Sequence, residues 1–490
     1  MLPYKSLIAL KKPSKTPIFL QITNGLMDNI KSGLIPKGAK LLGTRALAEI
    51  LGVSRQTVVA AYDELLAQGW LEIKTAQGTF VSSKIPVFTP ISLDKSLKNN
   101  ALSDTHFSIK SKTGFDFSRK DYLRRPLLRG SSALTFDDGF PDVRLAPIDE
   151  LARAYRSVLQ KGYQKNTLFY GDTKGEATLR QEIATFLKET RGLNITIDNV
   201  MIGRGSMMGM FLTANTVLKM GDKVAVGALD YTSVGLIFQN SGSELVKIHV
   251  DDKGLDVEHL AEICEKTPIQ MVYLTPHHHY PTTVTMPAER RLRLLELAKT
   301  YKFCILEDDY DYDFHYSSSP ILPLASVDTE GYVVYVGSLC KTISPALRVG
   351  FIVAPSELIE EMGFFRRIVD RQGDNATEAA LAILFKDGTI KRHLKKAQRL
   401  YHKRRDALCE GLKNELGNYF NFQKPNGGLA VWAKLDPSVS LPILSEKVGK
   451  MGLIIGDGSV YNINATRLGF ASTNELEIEQ GLAILKESLR

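Results

Sequence analysis

The sequence predicts an α/β protein, a body on a mostly parallel sheet preceded by a small helical unit. Three observations carry this. From about residue 131, short apolar runs alternate with helix-period segments. Before residue 82, three helical patterns follow one another, the last two separated only by Gly52 and Val53. The net charge of +8 is also unevenly placed. Residues 1–81 carry +5 and residues 82–130 carry +6, while the remainder carries −3. A basic end on a near-neutral body suits a nucleic-acid-binding module, or else a solvated basic tail.

At 490 residues the chain has room for about three domains. Hydrophobic residues make up 44% and charged residues 24%, ordinary for a globular protein. The four cysteines, Cys264, Cys304, Cys340 and Cys409, form no C-x-x-C pair, which argues against zinc ribbons and disulfide frameworks. No apolar run approaches the ~18 residues of a membrane span, and Met1 to Lys12 lack the apolar stretch of a signal peptide. The expected location is the cytoplasm.

The first helix follows Pro17, with Phe19, Ile22, Leu26 and Ile30 on one face. The second is read from Thr44 as its N-cap, with Leu47, Ala48 and Leu51 inward and Gly52 as its stop. The third is capped by Ser54, carries the stripe Val58, Val59, Tyr62, Leu65 and Leu66, and ends at Gly69. So tight a turn between the last two makes a helix-turn-helix, whose second helix offers its start to the major groove. That start reads Ser54, Arg55, Gln56, Thr57. Arg55 can fork onto guanine and Gln56 onto adenine, while Ser54 and Thr57 suit phosphate or base contacts. Residues 70–73 and 79–81 read as a hairpin with a Gly78 tip, a wing along the backbone.

Residues 82–130 have little hydrophobic periodicity and are read as a long tether. The body then spans 131–490, with a large part of about 131–360 and a small C-terminal part of about 361–490. Candidate strands are 200–202, 223–226, 270–274, 303–306 and 332–336. Each is short, apolar and nearly unalternating, as buried parallel strands are. A helix is expected over 286–300.

Ligands of such sheets gather at the carboxyl ends of the strands. Three ends carry chemistry. One opens Gly203-Arg204-Gly205-Ser206-Met207 into a helix, a usual phosphate cradle. Another runs into Glu307-Asp308-Asp309-Tyr310-Asp311, and a third into Ser338-Leu339-Cys340-Lys341 with Arg348 beyond. A phosphate site, a carboxylate and a lysine are what pyridoxal 5′-phosphate needs: the lysine to hold it covalently, the carboxylate to pair with its ring nitrogen. The spacing Asp309-x-Asp311-x-Asp313 mimics a calcium loop but has Phe314 and Pro320 where glycine and glutamate belong. The consecutive His277, His278 and His279 do not point one way, so no metal site is expected.

Residues 16–81, through Thr44-Arg45-Ala46-Leu47-Ala48 and Gly52-Val53-Ser54-Arg55-Gln56-Thr57-Val58, resemble the winged helix of GntR-type repressors. The body resembles fold-type I aminotransferases through Gly139-Phe140-Pro141-Asp142, Tyr170-Gly171-Asp172, Thr275-Pro276, Tyr280-Pro281-Thr282, Glu307 to Asp311, Lys341 and Arg467 to Ala471. Taken together, the chain resembles the MocR-type regulators. The resemblance implies Lys341 as the catalytic, coenzyme-holding lysine, Asp308 at the ring nitrogen and Tyr310 at the ring hydroxyl. It implies Tyr231 stacked on the ring, with Gly205, Ser206, Met207, Ser338 and Arg348 at the phosphate. His278 is expected to face the coenzyme and Arg467 to grip an effector carboxylate. Arg45, Ser54, Arg55, Gln56, Thr57 and Gly78 are expected at DNA.

Departures from the family pattern are Leu42-Gly43 before the second helix, Ala228-Leu229-Asp230-Tyr231, Met207-Met208, Thr283 and Cys340. The function this implies is a homodimeric, pyridoxal-phosphate-dependent transcriptional regulator. It would bind a double-stranded DNA operator and sense a small amine, an amino acid or the coenzyme. The alternative is a working aminotransferase with a secondary DNA arm.

Overall fold

The computed structural model describes residues 2–11, 13–86, 113–123, 134–164, 166–316 and 321–490. The chain divides into two compact units, Met1–Ser118 and Arg119–Arg490. Most of the stretch read as a tether, 87–112 and 124–130, lies outside the described residues. Near its end, Lys120 donates to the Asn240 side chain of the second unit at 2.6 Å.

The first unit contains α1 (Tyr4–Leu7), α2 (Ile18–Lys31), α3 (Thr44–Leu51), α4 (Arg55–Ala67), β1 (Leu71–Lys74) and β2 (Gly78–Val81). Ile22, Leu26, Leu47, Val58, Ala61 and Leu65 are fully buried together. They occupy one face of each helix, as the 3.6-residue period dictates. Gly52 takes a left-handed φ of 63° and ends α3, a conformation that costs a Cβ-bearing residue about 1 kcal/mol or more. One expectation fails at residue 44. Gly43 is the N-cap of α3, with no side-chain cap, and Thr44 is already helical. Ser54 does cap α4, its hydroxyl accepting from Thr57 N at 3.2 Å. β1 and β2 pair antiparallel, Glu72 opposite Phe80.

The second unit opens with β3 (Leu134–Thr135), α5 (Ile148–Lys161) and α6 (Ala177–Arg191). Next come β4 (Val200–Gly203), α7 (Ser206–Val217), β5 (Lys223–Gly227), α8 (Thr232–Asn240) and β6 (Glu244–Ile248). A two-stranded ribbon, β7 (Val250–Asp251) with β8 (Gly254–Leu255), leads to α9 (Val257–Lys266) and β9 (Met271–Leu274). Then follow α10 (Ala288–Tyr301), β10 (Cys304–Asp309), β11 (Val333–Ser338), α11 (Leu339–Thr342) and β12 (Gly350–Val353).

The main sheet has the order β4-β12-β11-β10-β9-β5-β6. All five strands read from the sequence lie in it. The hydrogen-bonded neighbours among β11, β10, β9, β5 and β6 are parallel; β12 alone runs against its neighbours β11 and β4. Parallel central strands are covered on both faces, hence their apolar runs. Met210, Val336 and Ile352 pack on one face, and Leu294, Leu297 and Ile305 on the other.

The chain finishes with α12 (Ser356–Val369), α13 (Asn375–Lys386), the 28-residue α14 (Thr389–Leu416), β13 (Phe420–Phe422) and β14 (Ala430–Leu435). Last are α15 (Leu441–Lys450), β15 (Leu453–Ile454), β16 (Ala465–Gly469) and α16 (Glu475–Ser488). β13, β14 and β16 make a second sheet that sets Arg467 opposite Trp432. Among the described residues, no helix is long and apolar enough to cross a membrane.

Candidate functional site

The carboxyl ends of β4, β10 and β11 bring the expected residues to one edge of the sheet. β10 and β11 run in register, Asp308 opposite Val336, so the carboxylate and the turn carrying Lys341 emerge side by side. Ser338 ends β11, and its hydroxyl accepts from Cys340 N at 3.2 Å. Lys341 follows in α11 and donates to the Gly139 carbonyl at 2.6 Å, with its ammonium 4.3 Å from the Phe140 ring centroid. Burial pulls the Lys341 amine below its ordinary range, although Asp138 and Asp137 pull the other way. A lysine with a lowered pKa is a better nucleophile at neutral pH.

Asp308 is buried. Tyr273, from the neighbouring β9, donates to its Oδ2 at 2.9 Å, and its Oδ1 has no partner. Burial pushes this carboxyl up to about 7, opposed by the Tyr273 hydroxyl and helped by Asp309 and Asp311. A buried oxygen without a partner costs ~1–3 kcal/mol, so the site is built for a donor it does not itself supply.

Gly205 joins β4 to α7 with φ 76°, and a Cβ there would come within 2.8 Å of Arg348 Nη2. A Cβ at Gly350 would meet the Gly205 backbone at 2.7 Å. Two glycines therefore let the loop close against the Arg348 guanidinium, which donates to the Arg204 carbonyl at 3.2 Å and to Cys340 Sγ at 3.4 Å. Ser206 and Met207, half-buried, form the first turn of α7. A 12-residue helix N-terminus beside an arginine suits a phosphate.

Tyr231 follows Asp230, which accepts from Gly227 N and Tyr231 N at 2.9 and 2.7 Å and fixes the turn. The Tyr231 ring lies edge-on to Tyr280 at 5.1 Å. Tyr310 donates to the His278 carbonyl at 2.9 Å. His278 thus presents its backbone to Tyr310, while its ring turns to Asp311, donating through Nδ1 at 2.7 Å. An anionic aromatic ligand with a basic ring nitrogen fits this set: a cradle at Gly205, an unmet acceptor at Asp308 and an amine at Lys341.

Arg467 is buried in β16, and its Nη1 donates to the Pro281 carbonyl at 3.0 Å. Its Nε lies 2.8 Å from Asp138 Oδ1, an ion pair without hydrogen-bond alignment. Tyr280 donates to the other Asp138 oxygen at 2.7 Å and shares a 2.8 Å hydrogen bond with Tyr461. The segment 138–140 therefore engages both Lys341 and Arg467. Sequence reasoning assigned no role to Asp138, Tyr273 or Tyr461. Only Gly139 and Phe140 stood in a motif, because these contacts join residues far apart in the chain.

His279 shares a 2.8 Å hydrogen bond with Thr282 Oγ1, and burial pushes its pKa down to about 4. His277 and His278 turn to a different neighbour. Together with His315 they place one ring nitrogen each within 4.8 Å of the others, a convergence that reading three consecutive histidines could not reveal.

In the first unit, Ser54, Arg55 and Gln56 are exposed at the start of α4 and Thr57 is half-buried. Arg45, on α3, and Gly78, at the opening of β2, are exposed as well. Arg55 Nε is 3.5 Å from Thr44 Oγ1, and the Ser54 and Thr57 hydroxyls are 2.8 Å apart. Two lysines that the sequence reading passed over lie over the Phe80 ring: Lys74 from β1, and Lys40 from the segment before α3, which bridges to Phe80.

Residues 134–485 match the family model "Aminotransferase class I and II", and residues 20–81 match "Bacterial regulatory proteins, gntR family". The chain is 27% identical to the uncharacterized HTH-type transcriptional regulator YdfD of Bacillus subtilis, covering 96% of both. It is 26% identical to the probable rhizopine catabolism regulatory protein MocR of Rhizobium meliloti, covering 89% of this chain and 86% of MocR. A crystal structure of Pyrococcus horikoshii kynurenine aminotransferase in complex with PMP superposes with TM-score 0.70 at 27% identity, over 76% of this chain and 96% of that one.

Proposed function

Because the chain belongs to the aminotransferase class I and II family and carries a GntR-family domain ahead of it, we propose that it is a pyridoxal-phosphate-dependent transcriptional regulator. It binds an operator in double-stranded DNA through its winged helix. Its body senses a small amine, an amino acid or the coenzyme itself. The observation that carries this reading is one chain holding both an exposed helix-turn-helix start and, at one end of its main sheet, a buried carboxylate at Asp308, a half-buried amine at Lys341 and a glycine loop beside Arg348. Relatives that share both regions over nearly their whole length bear regulator names.

When bound, the coenzyme supplies an aldehyde that takes up primary amines and a ring that withdraws electrons. The chain's own residues do the rest. The Gly205 loop, the start of α7, Ser338 and Arg348 hold the phosphate. Asp308 Oδ1 keeps a proton at the ring nitrogen, and Tyr273 holds the carboxyl in place from its other oxygen. Tyr231 would stack on the ring and Tyr310 would meet its hydroxyl. Lys341 offers the amine with which an effector amine competes, and the Phe140 ring lies beside that amine.

Arg467 is the group that meets an effector carboxylate. Asp138 already pairs with its Nε, so an effector carboxylate competes with Asp138 for the guanidinium. Effector binding that favours one body conformation changes operator affinity by the same free energy. Two copies of the chain present two winged helices to paired half-sites, and the work is done in the cytoplasm where the DNA lies.

A second reading has its own support. A working aminotransferase would use the same Lys341, Asp308, Tyr310 and Arg467 for its chemistry. One experiment separates the two. Full-length, coenzyme-loaded protein is screened with amines by coenzyme absorbance. Each hit is then assayed for operator affinity and for turnover with 2-oxoglutarate. A regulator shows a 5–150-fold change in operator affinity, in the range of ordinary coupling energies. Sustained turnover at roughly 1 per second or faster with unchanged DNA binding would make it an enzyme.

A further inference from the structure

Behind the coenzyme pocket lies a second constellation that neither half of the proposed function uses. We propose that His277, His278 and His315 form a site for one divalent cation of the zinc class. One ring nitrogen of each lies within 4.8 Å of the other two. Imidazoles bound tetrahedrally at roughly 2.0–2.1 Å from an ion stand about 3.3 Å apart, so ring movements of about an ångström close the set.

The polar atoms there point to a ligand. His277 and His278 are each 2% exposed. Neither ring nitrogen of His277 has a hydrogen-bond partner, and His278 Nε2 has none. Gly427 keeps that nitrogen clear: a Cβ there would come within 2.3 Å of His278 Nε2. The other nitrogen of His278, Nδ1, donates to Asp311. A carboxylate behind an imidazole fixes its tautomer and raises the basicity of the nitrogen that faces the metal. His315 is half-buried as a residue and brings the third imidazole from the segment after Tyr310.

The surrounding charges do not forbid a dication. Arg191 and Arg291 face His277, but Arg191 is paired with Asp313 at 3.2 Å and Arg291 donates to three backbone carbonyls. Asp309 and Asp311 each keep one oxygen without a partner. Three nitrogen donors with a carboxylate behind them select a borderline cation over calcium or magnesium. An ion there would tie the segment before Tyr280 to the segment after Tyr310, and so brace both residues of the pocket wall.

The test uses tag-free, full-length protein, stripped with a chelator and titrated with Co2+ as an optical probe and Zn2+ as competitor. The expected result is one equivalent bound, tetrahedral cobalt bands, and displacement by zinc. His277→Gln and His315→Gln each weaken binding about tenfold or more. His249→Gln leaves it unchanged, although His249 stacks on His259 at 3.9 Å and is the other paired histidine. X-ray absorption of the zinc-loaded wild type, which needs no variant to fold, should show three imidazoles. Substoichiometric binding, fewer than three imidazoles, or a loss that follows His249 overturns the proposal.

Discussion

The recognition edge of the winged helix and the pocket edge of the main sheet solve opposite problems. At the start of α4, Ser54, Arg55 and Gln56 stand in water and make few contacts within the protein. At the ends of β10 and β11, Asp308 is buried and Lys341 half-buried, and desolvation moves both pKa values toward neutrality. A DNA surface must meet a hydrated polyanion and still release it, so its groups stay solvated until contact. A coenzyme pocket gains from desolvation, because a charge placed in it finds little competing water. Substitutions in the pocket should therefore disturb ligand binding and stability together. Those on the helix should disturb binding alone.

The largest effect tests the pocket half of that contrast. Lys341→Ala removes the amine that reaches the Gly139 carbonyl beside Phe140. Borohydride treatment of wild-type protein should fix the coenzyme irreversibly at Lys341. In the variant the fixed fraction should fall to background while the winged helix binds non-specific DNA as before. Fixation on a different lysine would relocate the site.

Asp308→Asn comes next. Loss of a hydrogen bond to a charged group costs ~1.5–3 kcal/mol, so coenzyme affinity should drop roughly 10–100-fold. The stability of coenzyme-free protein should move the other way at neutral pH. Asp308 has its pKa raised from 3.8 to about 7 in the folded chain, which thus holds the proton more tightly than the unfolded chain does. Its stabilising contribution is complete below about pH 4 and is lost as pH rises toward 7. Asp230, Glu307 and Glu378 are also raised to about 7 and add to the same slope. Denaturant melts of the Asn variant across this range should show a shallower decline. An unchanged slope would mean that Asp308 is not protonated in the empty pocket.

The same contrast explains what the sequence made legible. Buried parallel strands announce themselves as apolar runs, and all five expected strands are present. The helix-turn-helix is equally local, set by Gly52, Ser54 and one stripe of side chains. What stayed hidden is whatever depends on contact between distant segments. β12 is short and flanked by no signal of its own, and only the sheet shows it running against β11. Lys341 meets Gly139 across 202 positions, and Asp138 reaches Arg467 across a still longer separation. His315 joins His277 and His278 only because β10 and its following turn pack beside the 275–281 segment. The misplaced cap at Thr44 is a different failure, since a threonine before an apolar run looks alike at the N-cap and one residue later.

On the helix side, Arg55→Ala should cost about 1–3 kcal/mol at the operator if Arg55 reads a base, and relax specificity at one position. If it touches phosphate alone, binding weakens equally on all sequences and the salt dependence falls by about one counterion. In either case the melting of the protein should change by no more than roughly 0.5 kcal/mol, since the side chain is exposed and off the Val58–Tyr62 stripe. A larger loss of stability would blur the distinction between the two regions, and wild-type operator affinity at several salt concentrations would take Arg55 out of the interface.

Ser54 sharpens the comparison because it belongs to both categories. Its hydroxyl accepts from Thr57 N at 3.2 Å and lies 2.8 Å from Thr57 Oγ1, so it caps α4 while facing solvent at the DNA edge. Ser54→Ala removes the cap and should cost about 1 kcal/mol of stability in the first unit, whereas Ser54→Asp keeps an acceptor and should preserve it. Aspartate also puts a negative charge at a helix start, which favours the helix and repels phosphate. The two variants should therefore separate the roles: alanine loses stability with a small effect on DNA, and aspartate keeps stability with a marked loss of DNA affinity that grows as salt is lowered. Should aspartate bind the operator like wild type at low salt, the start of α4 does not approach the phosphate backbone.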